Sequence, residues 1–162
     1  MNLGDWLSRK LGGKQVIPQE PVSYHAIGVV RNRRREPQPD GWEDVKSDIV
    51  LREDVREALD SLEGFSHVIV VFHMHEVPPA EARARVPVGA AERGVLATRS
   101  QLRPNPIGVA VVPLVHRREN VLRVRGLDAI DRTPVLDVKP YLPPYDSVPD
   151  ARLPDWAVMP GG

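Results

Sequence analysis

Three stretches of this chain carry residue types able to do chemistry. The first is Phe72-His73-Met74-His75-Glu76, at the end of an apolar run. In a strand, residues two apart share a face, so His73 and His75 are expected on the same side. Such a pair can take a metal with Glu76 or His116, hydrogen-bond to neighbours in a partly buried wall, or offer an imidazole edge to a ligand. No third metal ligand is placed by spacing. The second stretch is Arg99-Ser100-Gln101-Leu102-Arg103-Pro104-Asn105-Pro106-Ile107-Gly108. Each proline fixes its own φ and pushes its predecessor into extended backbone. Asn105 is held from both sides, and the turn can present Arg99 and Arg103 with little entropy left to lose. The alternative is a rigid connector. The third is Leu127-Asp128-Ala129-Ile130-Asp131-Arg132-Thr133-Pro134, with two carboxylates three apart in a turn. These either cap the turn or recognise ribose hydroxyls or a cationic centre. Asp137 and Lys139 suit an exposed ion pair.

Short strands must position these groups. Apolar patterning predicts strands at Tyr24–Val30, Ile49–Leu51, Phe65–Phe72, Val95–Thr98, Ile107–Val115, Leu122–Val124 and Val135–Val138. The Phe65–Phe72 run is nearly continuous and β-branched, so burial on both faces is expected. Asp54 to Leu62 reads as a helix with Val55, Ala58, Leu59 and Leu62 on one face and Asp54 as its cap. Residues 36–42 and 78–87 read as loops. Trp6, Leu7 and Leu11 fit one face of a short helix ended by Gly12-Gly13, and a tail without structure fits equally. Residues 1–21 are thus an extension, 22–148 the domain and 149–162 an irregular, proline-punctuated tail. The expected fold is mainly β, a small β-barrel with one or two short helices.

Composition narrows the chemistry. The 162 residues contain 17 Pro, 12 Gly and no Cys. The lack of cysteine excludes disulfides, thiolate zinc sites, iron–sulfur clusters and cysteine nucleophiles, and leaves the cytoplasm as the default compartment. No apolar run approaches the roughly 20 residues of a membrane span, and no secretory signal is visible. No G-x-G and no P-loop occurs, so a nucleotide-containing cofactor needs another cradle. Net charge is zero, from 22 basic and 22 acidic residues, but its distribution is polarised. Residues 36–63 are acidic, whereas residues 83–139 and the cluster Arg31, Arg33, Arg34 and Arg35 are basic. A basic face of this kind attracts a polyanion even on a neutral protein. Arg103, Arg123, Arg125 and Lys139 are its candidate contacts for such a polyanion. Arg123 and Arg125 alternate with apolar residues and so point the same way from one strand.

The order of the motifs resembles one family. Ile27-Gly28-Val29-Val30 is followed by Gln38-Pro39, then by Leu62-Glu63-Gly64-Phe65-Ser66-His67 and Phe72-His73-Met74-His75. Gly94-Val95-Leu96-Ala97-Thr98-Arg99-Ser100, Arg103-Pro104-Asn105-Pro106-Ile107-Gly108, Leu127-Asp128-Ala129-Ile130-Asp131, Thr133-Pro134 and Asp137-Val138-Lys139-Pro140-Tyr141 complete the series. Over about residues 22–148 the chain is similar to the TsaA-like, or TrmO-type, S-adenosylmethionine-dependent tRNA methyltransferases. The resemblance implies a β-barrel that binds S-adenosylmethionine without a Rossmann fold, a homodimer, and N6-methylation of threonylcarbamoyladenosine beside the tRNA anticodon. It puts cofactor contacts on Gln38, Pro39 and Asp40, on His75 and Glu76, on Arg99, on Val109, and on Leu127, Asp128, Ala129, Ile130 and Asp131.

Three departures stand out. Arg132 occupies a position where the family pattern usually has Gly. If that position needs φ > 0, Arg is strained there by roughly 1 kcal/mol or more. The additional C-terminal domain of longer members is expected to be missing, and the Arg31–Arg35 cluster is outside the signature. Methyl transfer to the target nitrogen requires loss of a proton, for which His75, Asp128 and Asp131 are the candidate acceptors. Two alternatives remain: a methyltransferase of the same fold acting on another RNA or a small molecule, and a module that binds S-adenosylmethionine or a metal without catalysis.

Overall fold

The computed structural model describes residues 21–81 and 84–157. The short helix expected around Trp6, Leu7 and Leu11 lies outside the described residues. Among these residues eight strands form: β1 (Gly28–Arg31), β2 (Lys46–Leu51), β3 (His67–His73), β4 (Arg85–Val88), β5 (Ala91–Gly94), β6 (Ile107–Arg118), β7 (Val121–Arg125) and β8 (Pro134–Pro140). Six of them close a barrel in the order β1-β2-β7-β6-β3-β8, and β4 and β5 form a separate two-stranded ribbon. Every barrel pairing is antiparallel. Closure leaves no unpaired barrel edge.

The interior follows from alternation. Val30, Ile49, Val68, Val70, Val112, Leu122, Val124 and Val135 are all buried and fill the barrel. β3 is therefore not buried on both faces, as its unbroken apolar run suggested. Val68, Val70 and Phe72 are buried, whereas Ile69 and Val71 between them are only half-buried. An antiparallel barrel has a single inner face, and double burial belongs to sheets covered by helices on both sides. Gly108 shows how tight that inner face is. A Cβ there would lie 2.3 Å from two carbons of the Phe72 ring, so the aromatic occupies the space a side chain would need.

Two further expectations change. In place of an α-helix over Asp54–Leu62 there is a 3₁₀ helix at Glu53–Leu59 and a 3₁₀ turn at Leu62–Gly64. Arg52 holds the cap position, and the Asp54 carboxylate receives two N–H groups from it, at 2.9 and 2.7 Å, in place of backbone amides. Ser61, at φ +65°, breaks the coil, and only Leu59 and Leu62 of the expected apolar face are fully buried. Val95–Ala97 is a 3₁₀ turn, not a strand; the strands lie just before it, in the β4–β5 ribbon that crosses the expected 78–87 loop. β1 is shorter than Tyr24–Val30 and β2 longer than Ile49–Leu51, because pairing with β7 extends β2 back to Lys46. A single α-helical turn at Pro143–Asp146 and a 3₁₀ turn at Asp155–Ala157 follow the barrel.

Candidate functional site

Loops gathered at one end of the barrel enclose a cleft of about 700 Å³. That volume lies in the range of small-molecule and cofactor sites, roughly 300–1,000 Å³. Its floor is Phe72, Met74, Gly108, Ala129, Ile130 and Thr133; its rim carries Gln38, Pro39, Trp42, His75, Glu76, Arg99, Arg103 and Asp128. Each wall has a local cause. Trp42 closes the 37–42 loop by donating its indole N–H to the Gln38 carbonyl at 2.9 Å. The Arg34 guanidinium stacks over the Trp42 ring, 5.9 Å from its centroid, and donates to the Gly41 carbonyl at 3.1 Å. The Arg103–Pro106 turn is tied to β3 and its continuation, with Met74 N–H donating to the Pro106 carbonyl at 2.8 Å and Ala80 N–H to the Arg103 carbonyl at 2.9 Å.

The two arginines of that stretch separate in role. The Arg103 guanidinium is half-buried and donates to the carbonyls of Thr98 at 2.8 Å and Val95 at 3.3 Å. It braces the turn from inside through one nitrogen, Nη1. Arg99 is exposed on the rim and donates to the Val109 carbonyl at 3.0 Å, which fixes it across the end of β6.

His73 and His75 do not share a face. β3 ends at His73, which pairs with Ile107 and follows the outward phase of Ile69 and Val71. Beyond it the chain leaves the sheet, and His75 enters the cleft. Its Nδ1 is buried and has no hydrogen-bond partner, and its Nε2 stands 4.0 Å from Glu76 Oε1. Among the described residues no group of three or more His, Asp or Glu side chains comes together as a metal site.

The 127–133 turn splits the residues that the resemblance grouped. Asp128, Ala129 and Ile130 line the cleft, with Asp128 exposed. Leu127 is wholly buried in the core. Asp131 points elsewhere: its Oδ1 accepts the Asn32 N–H at 3.2 Å, and its Oδ2 lies 3.7 Å from both Arg31 and Arg132. Asp40 is exposed in its loop and outside the cleft wall.

Asn32, which sequence reasoning did not single out, ties this turn to the barrel. Its side-chain amide donates to Ser47 Oγ at 2.9 Å and to the Ala129 carbonyl at 2.8 Å, and its side-chain oxygen accepts the Arg34 N–H at 2.9 Å. A lone Asn in a basic run gives no sign of this; the partners come from 15 and 97 residues away. Phe72 and Met74 were also missed as wall residues, although alternation around His73 puts both on its opposite side.

A second depression lies beside the first. Arg31, Asn32, Arg33, Arg34, Lys46 and Arg123 line it, together with Asp44 and Asp48. Arg123 is paired bidentately with Asp48 at 2.7 Å for both contacts. That hydrogen bond holds the Asp48 carboxyl below the usual carboxylate range, with the charges of Arg123 and His116 adding to it and desolvation opposing. Arg125 pairs with Lys46 in the β2–β7 register, two residues on from Arg123. Lys139, on β8, forms an ion pair with Asp137.

A closed antiparallel barrel with a loop-built cleft and no dinucleotide fold defines a particular class of protein. The family model for the tRNA-methyltransferase O N-terminal domain matches residues 30–147, and the chain belongs to that family. Over 137 residues, 82% of this chain, it is 35% identical to a Pyrococcus abyssi relative, of which it covers 74%. It is 37% identical over 126 residues to a protein of Archaeoglobus fulgidus described as an S-adenosyl-L-methionine-binding protein, covering 75% of this chain and 91% of that one. It is 37% identical over 145 residues to the tRNA (adenine(37)-N6)-methyltransferase of Escherichia coli, covering 79% of this chain and 61% of that enzyme. The crystal structure of TrmO from Pseudomonas aeruginosa superposes with a TM-score of 0.71 at 35% identity, over 88% of this chain and 65% of that one.

Proposed function

We propose that the chain is an S-adenosylmethionine-dependent methyltransferase that acts on the N6 position of threonylcarbamoyladenosine beside the anticodon of tRNA, with residues 22–148 as the catalytic domain. The observation that carries this reading is the composition of the cleft. Apolar walls from Phe72, Met74 and Ile130 suit an adenine ring, the Asp128 and Glu76 carboxylates suit hydroxyl and ammonium groups, and Arg99 suits a carboxylate. The buried, partnerless Nδ1 of His75 is a polar atom at the cleft wall still in need of a hydrogen bond. These residues fit S-adenosylmethionine, which when bound supplies an electrophilic methyl group on a sulfonium.

The chain's own part is binding, orientation and proton acceptance. Rigid walls that align the acceptor nitrogen with the methyl group contribute several kcal/mol, with about 7–11 as the upper range. The nitrogen's lone pair is delocalised into the purine and the carbamoyl group, so its proton must leave. Of the three candidate acceptors, Asp131 is occupied by Asn32 and two arginines. Asp128 lines the cleft, and among the described residues it has no ionic or hydrogen-bond partner. We assign the proton to Asp128 and ligand orientation to His75. An anticodon-loop base is already single-stranded and enters the cleft without a duplex being opened. The Arg31–Arg34 depression supports phosphate binding beside it. On this reading the protein works in the cytoplasm, beside its tRNA substrate. No helix among the described residues is long and apolar enough to cross a membrane.

We also propose a homodimer. Val111 stands outward on β6, 51% exposed, beside the half-buried Ile69 and Val71 of β3, and Ile107 and Val109 carry this apolar face to the cleft, whose wall they also line. A contiguous apolar face of this kind marks a partner surface, and a two-fold pairing of identical patches is the commonest solution.

A second reading, binding without catalysis, is favoured by one observation: the Archaeoglobus fulgidus relative is described as an S-adenosyl-L-methionine-binding protein, with no methyltransferase activity in that description. The two readings separate in one assay. Purified protein, S-adenosylmethionine and tRNA carrying threonylcarbamoyladenosine should yield the N6-methylated nucleoside by mass spectrometry, and tRNA lacking the modification should yield none. Cofactor binding with no methylated product in any RNA would establish the second reading.

A further inference from the structure

Arg132 sits in a backbone conformation that penalises it. Its φ is +69°, in the left-handed region where a side chain is strained and glycine is not. It is the third residue of a tight turn, closed by Thr133 N–H donating to the Ile130 carbonyl at 3.2 Å, and this position favours glycine when φ is positive. The turn cannot relax. Arg132 N–H donates to the Val30 carbonyl at 2.8 Å, Asp131 N–H to the Arg34 carbonyl at 2.6 Å, and Val30 N–H to the Thr133 carbonyl at 2.9 Å.

The side chain does nothing inside the fold that would offset this. It is 76% exposed, and among the described residues its one ionic partner is Asp131, 3.7 Å away and outside hydrogen-bond range. Asp131 is shared at the same distance with Arg31, so one carboxylate faces two guanidiniums and the local charge stays positive. Backbone strain that the surrounding structure over-determines clusters at functional sites.

The location indicates what Arg132 serves. Ala129, Ile130 and Thr133, on either side of it in sequence, line the cleft. Arg31, Asn32, Arg33 and Arg34 line the basic depression. Asn32 belongs to that depression and donates to Ala129 of the cleft wall, so the two hollows meet at this turn. We infer that Arg132 is an RNA contact: it engages a backbone phosphate of the substrate strand where that strand passes from the Arg31–Arg34 depression over the rim of the cleft. This rests on the tRNA reading above and adds to it the residue that holds the strand at the rim.

The test uses the full chain, an anticodon stem–loop oligoribonucleotide, and the variants Arg132→Gly and Arg132→Lys. Binding is measured across a range of salt, cofactor affinity by calorimetry, and melting temperature alongside. Arg132→Gly should melt about 2–4 °C higher, since it relieves the left-handed strain. It should nonetheless bind the RNA roughly tenfold more weakly, with a log–log salt slope flatter by about 0.7–0.9. Arg132→Lys should keep the slope, because it keeps the charge, and cofactor affinity should be the same in all three proteins. Wild-type binding that weakens with salt together with an unchanged Arg132→Gly slope would overturn the Arg132 contact alone. Loss of cofactor affinity in Arg132→Gly would also overturn it, by making the turn part of the cleft. A wild-type protein that does not bind the oligoribonucleotide would overturn the tRNA reading itself, and this contact with it.

Discussion

Arg99 and Arg103 lie four residues apart in one proline-braced stretch, yet the fold gives them opposite work. Arg103 turns one nitrogen, Nη1, inward to the carbonyls of Val95 and Thr98, whereas Arg99 reaches over the cleft and is held through Nη2 by the single carbonyl of Val109. A guanidinium fixed at one donor still has the others free for a ligand carboxylate. Arg99→Ala should therefore weaken S-adenosylmethionine at least tenfold, about 1.4 kcal/mol, in a calorimetric titration. The fold should be unaffected, because the side chain is exposed and its truncation leaves one carbonyl at the surface. Undiminished affinity would remove Arg99 from the site. At Asp128 and Asp131, chemistry visible in the sequence did not reveal assignment. Both read as candidate proton acceptors, and only the contacts of Asp131 with Asn32, Arg31 and Arg132 separate them.

Strand pairing turns the scattered charges into a pattern. β2 and β7 run antiparallel with Asp48 opposite Arg123, and the bidentate pair on that rung joins residues 75 apart in sequence. The Asp48 carboxyl is held below its ordinary value of 3.8 by the Arg123 hydrogen bond first. Because the folded value is the lower one, the unfolded chain takes up the proton first as pH falls. The stability from this pair is complete above pH 3.8 and disappears as pH drops through the folded value. Urea midpoints of the wild type and Arg123→Ala should differ at pH 7 and converge in strong acid. A gap that persists at low pH would show that Arg123 stabilises by packing, not by charge. On the same rung Asp48 holds Nε and Nη2 of Arg123, so a phosphate at Arg123 would compete with that pair.

For the molecule as a whole, closing the barrel decides what is left outside. Ile69, Val71, Ile107, Val109 and Val111 alternate with core residues and are carried to the exterior in adjacent rows of β3 and β6. Burial of such a face against a second copy removes apolar surface from water at about 25 cal/mol per Å². Light scattering at micromolar concentration should give twice the 18.0 kDa of the chain, and Val111→Asp should return it to the single-chain mass while leaving the circular dichroism unchanged. A wild type that scatters as one chain would overturn the dimer.

Much of this protein was legible in its sequence, for a physical reason: strand periodicity, proline geometry and glycine demand are local. Alternation at β6, β7 and β8, the rigid Arg103–Pro106 turn, the left-handed strain at Arg132 if φ were positive, and the ordered motifs that carry the family all act over a few residues. The tertiary structure decided everything that depends on which strand lies beside which. It ended β3 at His73 and so parted His73 from His75. It replaced the helix over 54–62 with 3₁₀ turns, because the Asp54 carboxylate pairs with Arg52 instead of capping and Ser61 turns left-handed. It gave Asn32 partners at Ser47 and Ala129, and it put Arg132 in a left-handed turn whose neighbours Ile130 and Thr133 line the cleft. Contacts across 15 to 97 residues follow from barrel closure, and no window of local sequence contains them.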